Sequence, residues 1–173
     1  MSLLTWRSAE GKDRGALQVF TCAVNPLPYQ PREPYRPRHP KPWELDVQQR
    51  IRGLRPPLGP DEILLVGEDE AGIGAVSYSW VSDNGPSIIK LLAIAVATRH
   101  RGQGGAHADE ALQVALEAAG ERASLNGLAS FVAVGWIDRR NHVSKKMAER
   151  VGFLHVGNTP AGLEEWTVIV DLT

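Results

Sequence analysis

The chain is short of nearly everything that marks a special class of protein. It has one cysteine, Cys22, in 173 residues. A lone thiol excludes an intramolecular disulfide and fits a reducing compartment, so a cytoplasmic location is expected. No apolar run approaches the ~20 residues that span a bilayer. Arg7, Glu10, Lys12, Asp13 and Arg14 come too early for a secretory signal. Charge of one sign is missing too: 19 Lys+Arg stand against 20 Asp+Glu, a net charge of −1. No global field recruits nucleic acid or a membrane, and neither is expected as a partner. The five histidines (His39, His100, His107, His142 and His155) show no paired ligand spacing, so no metal is expected. What remains is the composition of one globular domain over residues 1–173, with no internal repeat and enough length to bury a core.

The stretch that carries most information is Leu91–Leu112. Leu91–Ala97 is an apolar run of strand length. Arg101–Gly105 is a glycine-rich turn. From Ala106 a helical pattern begins, with Ala108, Leu112, Ala115, Leu116, Ala119 and Ala123 along one side. Strand, glycine turn and helix make an anion site by electrostatics alone. The first N–H groups of a helix lack carbonyl partners, and the peptide dipoles add partial positive charge there. Gly102, Gly104 and Gly105 clear the approach, and Arg101 and Arg99 are expected to add full charges. The natural guest is a phosphate or diphosphate.

Two glycine motifs fail. No Lys-Ser/Thr follows Gly104 or Gly105, as a P-loop requires. The third glycine of a dinucleotide fingerprint falls on His107. What fits is Arg99-x-x-Gly102-x-Gly104 after a strand. A second block lies downstream: strand Phe131–Ile137, then a helix from about Asn141 to Arg150 on Val143, Met147 and Val151, closed by Gly152-Phe153. Asn141 reads as its N-cap. With these two blocks, about forty residues apart, the sequence resembles the GNAT superfamily of acyl-CoA-dependent N-acyltransferases over roughly Asp61 to Asp171.

The rest of the chain reads more plainly. Ser2–Arg7 is a first strand, and Asp13–Ala23 is open between helix and extended chain. Within the proline-rich segment 25–42, Pro31, Pro34, Pro37 and Pro40 recur every third residue, the period of a polyproline II helix. Tyr29, Arg32, Tyr35, Arg36, Arg38 and Lys41 accompany them. The segment reads as a stiff connector, or as a wall of the acceptor site or a docking surface. Pro42–Gly53 is a helix, with Glu44 and Asp46 at its positive end and Arg50 and Arg52 at the other. Glu62–Gly67, Gly72–Val81 and Ser87–Ala97 form an antiparallel meander. Phe153–Val156 and Glu165–Leu172 end the chain as strands.

The resemblance implies an α/β (α+β) fold: a mixed, mostly antiparallel sheet of six to seven strands, splayed in the middle and flanked by about four helices. It implies acetyl-CoA as co-substrate, with a diphosphate site at Arg101, Gly102, Gln103, Gly104, Gly105 and Ala106. The pantetheine arm would lie against Ile94, Ala95 and Val96, where a β-bulge would aim an N–H at the thioester carbonyl. Asn141 and Ser144 complete the site and are the candidate catalytic residues. The chain departs from the family twice. The position that commonly holds a tyrosine acid is Ala148, and the position that often holds a glutamate base is Lys90. Substitutes considered are Ser144, or a water on Asn141 or Ser144, as acid, and Glu68, Asp83 or Tyr78 as base. Asp138 is a candidate to orient an acceptor ammonium, with Trp80 and Trp136 lining its pocket. The expected activity is acetyl transfer to a primary amine of a small molecule or peptide, the protein acting alone or as a homodimer. The alternatives are a non-catalytic CoA-binding or partner-binding module and a tRNA-acylating toxin. Near-zero net charge and the missing tyrosine argue against the last.

Overall fold

The computed structural model describes residues 4–24, 39–81 and 87–172. Asn25–Arg38 of the proline-rich segment, and the turn that holds Asp83, lie outside the described residues.

The centre is a seven-stranded sheet in the order β1-β2-β3-β4-β5-β7-β6. Its strands are β1 (Thr5–Ser8), β2 (Glu62–Asp69), β3 (Gly72–Val81), β4 (Ile88–Val96), β5 (Ser130–Asp138), β6 (Leu154–Asn158) and β7 (Leu163–Asp171). Four helices flank it: α1 (Arg14–Gln18), α2 (Pro42–Gly53), α3 (Ala106–Leu125) and α4 (His142–Val151). Every neighbouring pair is antiparallel except β4 and β5. A parallel pair needs a long crossover, and the twenty-residue α3 supplies it. The expected fold class is the observed one. The ambiguous Asp13–Ala23 stretch resolves into a short 3-10 turn, α1 and extended chain.

The two faces of the sheet bury different cores. On one, Leu17 of α1 and Ile51 of α2 pack with Leu64, Val66, Val76, Tyr78, Ala93 and Ala95. On the other, Leu112, Leu116, Ala119 and Ala123 of α3 and Met147 of α4 pack with Ile89, Phe131, Ala133 and Trp166. The alanine stripe predicted on α3 lets the helix settle close to the strands; Ala111, Ala115, Ala119 and Ala123 are fully buried. That closeness has a cost. Ser77 and Ser79 share a face of β3 with Ala75, which packs on Ala111. Among the described residues, both hydroxyls are buried without a hydrogen-bond partner. Replacing Ser79 by alanine should therefore stabilise the protein by about 1 kcal/mol, read as a rise in melting temperature of about 2–4 °C. A lower melting temperature would show that the hydroxyl is satisfied.

The break in the sheet positions the site. β4 pairs with β5 only from Ile88 opposite Val132 to Leu91 opposite Gly135, whereas it stays on β3 as far as Val96. Past Leu91 the two strands part, and the main-chain groups of Leu92–Val96 that point toward β5 have no strand partner. The bulge is not at Ile94–Val96, as expected, but at Leu92: Tyr78 faces Ala93 while Ser79 faces Leu91, leaving Leu92 unpaired. Leu92 therefore turns to the same face as Ala93, against the α1–α2 core.

Candidate functional site

A chain leaving β4 must turn sharply to enter α3, and it does so through a 3-10 turn at Thr98–His100 and the glycine loop. Gly105 is the N-cap of α3 at φ 83°, in the left-handed region that side chains with a Cβ avoid. It offers no side-chain oxygen to the first N–H groups of the helix; the Ala106 amide makes only a long 3.5 Å contact with the Gln103 carbonyl. These N–H groups face a trough of about 470 Å³, within the range of small-molecule sites. Its walls include Ile94, Ala95, Val96, Arg101, Gly102, Gln103, Gly105, Ala106, Asn141 and Ser144. These are all the residues expected to hold the cofactor except Gly104, which bends the loop at φ 67° without joining the wall. At Gly102, on the wall, an added Cβ would meet no atom within 4 Å. Room for an anion is built into the main chain.

The arginines behave differently from expectation. Arg99 turns away from the trough. It donates to Asp69 at 2.9 Å and to the carbonyls of Gly72 and Ile73, clamping the β2–β3 hairpin. The Arg99 hydrogen bond is the main reason the Asp69 carboxyl sits at about 2. Arg101 does reach the trough, but its charge is committed: Nη1 lies 2.6 Å from the buried Glu44 carboxylate, and Nη2 donates to the Cys22 carbonyl. The Arg101 charge is thus shared with Glu44, and the main-chain amides and dipole at the start of α3 add to the field here.

The opposite wall comes from α2 and the chain before it: Cys22, Lys41, Trp43, Glu44 and Val47. Gln48 fastens this wall, its Oε1 accepting from the Cys22 and Ala23 amides at 3.0 and 3.1 Å. Arg140 lies over the Trp43 ring, 5.1 Å from its centroid, bridging the α2 and α4 sides. Sequence reasoning missed this wall. Glu44 was explained by the helix dipole, and neither it nor Trp43 carries a local signal for a partner fifty or more residues away. The His100–His107 pair was missed as well: one lies in the turn before the glycine loop and the other on α3, and only the fold of the loop brings the rings together. Their rings sit 4.7 Å apart on the trough wall, His100 against Asp69 at 2.5 Å and His107 against Gln103 at 3.0 Å. Among the described residues, no group of three His, Cys, Asp or Glu is placed to hold a metal ion.

Asn141 caps α4 as read from the sequence. Its Oδ1 accepts from the Ser144 amide at 3.2 Å, and its Nδ2 donates to the Ser144 hydroxyl at 2.8 Å. Asn141→Ala should cost about 1 kcal/mol through the lost cap, while Asn141→Asp should keep the stability. Thermal melts of both variants check this; equal losses would show that the Nδ2 donor, not the cap, matters.

A smaller cavity of about 130 Å³ shares Trp43, Val47, Ile94, Asn141, Ser144 and Met147 with the trough. It extends to Leu91 and Gly135, where the strands part, and its remaining lining is almost wholly apolar. Trp136 and Asp138, which the sequence offered as lining an acceptor pocket, stand on its wall; Trp80 does not. Asp138 is occupied by Arg140, whose guanidinium donates at 2.9 and 2.8 Å and brings the carboxyl down to about 2. The proposed bases fare worse. Glu68 is held by Arg7 at 2.7 Å on the far side of the sheet. Tyr78 donates its hydroxyl to Glu62, and burial pushes it up to about 12. Lys90 carries its ammonium 5.6 Å from both the Trp80 and Trp136 ring centroids. Ala148 is buried on the cavity wall and has no proton to give.

No family model matches the sequence, and no curated protein matches it. Solved structures do match. The ribosomal-protein-S18-alanine N-acetyltransferase of Escherichia coli superposes with a TM-score of 0.58 at 15% identity, covering 98% of this chain and 94% of that one. The PaiA N-acetyltransferase of Thermoplasma acidophilum, solved in complex with coenzyme A, gives 0.61 at 14%, covering 96% and 98%. The putative acetyltransferase YncA of Salmonella typhimurium, solved with acetyl-CoA, gives 0.55 at 17%, covering 99% and 95%. Another match is a putative acetyltransferase of the GNAT family from Desulfovibrio desulfuricans, at 0.58 and 15%, covering 98% and 99%.

Proposed function

We propose, from the GNAT fold that this chain shares with those acetyltransferases, that it moves an acyl group from acyl-CoA, acetyl-CoA in the simplest case, to a primary amine. The observation that carries this reading is the joining of two features in one trough: the glycine-capped start of α3 and the edge of β4 left bare beyond Leu91. The first is an anion site, and the second is a strand edge that an extended amide chain can pair with.

In this reading Gly102, Gly105 and Ala106, with the first N–H groups of α3, hold the diphosphate. Ile94, Ala95 and Val96 hold the pantetheine arm through their main chain. The bulge at Leu92 turns a peptide unit out of the ladder beside the parting of the strands, where an N–H can stabilise negative charge developing on a thioester carbonyl. Asn141 and Ser144 stand on both cavities, and in this reading Ser144, directly or through a water, protonates the departing thiolate. The acceptor loses its proton to water on the open side of the cleft, since among the described residues the carboxylates that line it, Glu44 and Asp138, are each held by an arginine. The amine could be that of a small molecule or of a peptide, as the S18-alanine enzyme's name describes for that protein.

Thiol release from acetyl-CoA, measured against a panel of small amines and peptide N-termini, tests this. Amine-dependent release supports transfer. Tight coenzyme A binding with no release against any amine would instead favour a cofactor-binding module, the reading that Ala148 and Lys90 leave open.

A further inference from the structure

We propose that the donor this site is shaped for carries an acyl group larger than acetyl, one of about four to seven carbons, linear, branched or aromatic. The inference rests on the acyl-CoA reading above and concerns the smaller cavity.

Direction comes first. The diphosphate end of the trough lies at the start of α3, beyond the end of β4. A chain laid from there along the bare edge of β4 runs back toward Leu91 and Gly135, where the strands meet. The last atoms to arrive are the sulfur and the acyl group, and what they meet is the 130 Å³ cavity. An acetyl methyl would leave most of that space empty. A cavity of about 150 Å³ lined by Leu, Ile and Phe stays dry and takes up benzene.

The lining points the same way. Leu91, Leu112, Ala148, Phe153 and Trp166 close the cavity on the α3–α4 side, and none offers a charge. Its few polar groups, Asp138, Asn141 and Ser144, already have hydrogen-bond partners. Gly135 marks the vertex, and a Cβ added there would meet no atom within 4 Å. The space is thus real at the place where the acyl chain would end. Trp136, half-exposed on the rim of the same cavity, marks the side from which an acceptor would approach the acyl carbon. In the transfer itself the acyl carbon exchanges its bond to sulfur for a bond to the acceptor nitrogen. The thiolate takes up a proton, and the amine gives one up. A longer chain changes none of this and adds only apolar burial, about fourfold in affinity per methylene.

Calorimetry with free coenzyme A, acetyl-CoA, isovaleryl-CoA, hexanoyl-CoA and benzoyl-CoA, without acceptor, tests the inference. At least one of the larger thioesters should bind tenfold or more tightly than acetyl-CoA. Gly135→Val, which grows into open space, should erase that advantage while leaving affinity for free coenzyme A unchanged. Ala148→Leu, entering from the other wall, should do the same. Equal affinities, or a preference for acetyl-CoA, would overturn this inference and leave the acyl-CoA reading standing. No heat with free coenzyme A would overturn both.

Discussion

Valine at position 105 is expected to weaken coenzyme A binding more than tenfold. Gly105 caps α3 at φ 83°. A residue with a Cβ loses about 1–2 kcal/mol in that conformation, and a β-branched one fits it worst. Space is short as well, since the added Cβ would lie 3.1 Å from the Arg150 guanidinium, which is itself paired with Asp109. The guanidinium can swing aside, but the strain at φ 83° is relieved only by a shift of the loop, and the shift carries away the N–H groups that meet the anion. Each hydrogen bond to a charged group is worth about 1.5–3 kcal/mol, so losing one suffices for the effect. The control is Gly127→Val. Gly127 has a similar φ of 73° but follows the far end of α3. It should lose comparable stability and no affinity. Should both variants bind coenzyme A like the wild type, or both lose binding together, the glycine-capped helix start is not the anion site.

The largest expected loss of stability is at Arg7, a residue the sequence offered only as part of a first strand. Its guanidinium donates to both oxygens of Asp13 at 2.8 Å and to both oxygens of Glu68 at 2.7 and 2.9 Å. It thereby ties β1, the turn before α1, and β2. Asp13 is only 5% exposed. Arg7→Met keeps the apolar stem but leaves that carboxylate buried without its cation, at a cost of about 3 kcal/mol and about 6–12 °C in melting temperature. The cluster also predicts a pH dependence. The Arg7 hydrogen bond, acting against burial, brings the Asp13 carboxyl from 3.8 to about 2. The folded value lies below the unfolded one, so the stabilisation, about 2 kcal/mol, is complete above pH ~4 and fades as pH falls toward 2. Denaturant melts from pH 5 to 2 should show wild type losing its margin over Arg7→Met in that window. A constant margin would mean that Asp13 is not held by Arg7.

Much of the site was legible because it is local. The glycine loop, the helix it opens and the Asn141 cap at α4 are each settled within a few residues, by backbone freedom and by a side chain reaching three positions along. Pro42–Gly53 read as a helix for similarly local reasons: proline and acids at its start, arginines at its end. What was misread depends on distant partners. Arg99 and Arg101 look alike in sequence, yet one answers Asp69 on a hairpin and the other Glu44 on a helix. Glu68 seemed a free base until Arg7 claimed it.

The sequence alone settled most of the order of strands and helices, the glycine turn between β4 and α3, and the absence of a tyrosine at position 148, since each is a property of neighbouring residues. Tertiary structure alone decided that α2 walls the trough, that the bulge falls at Leu92, and that a largely apolar cavity opens where β4 leaves β5. Those depend on which surfaces meet when apolar faces are buried, and long-range packing of that kind leaves no mark at any fixed spacing along the chain.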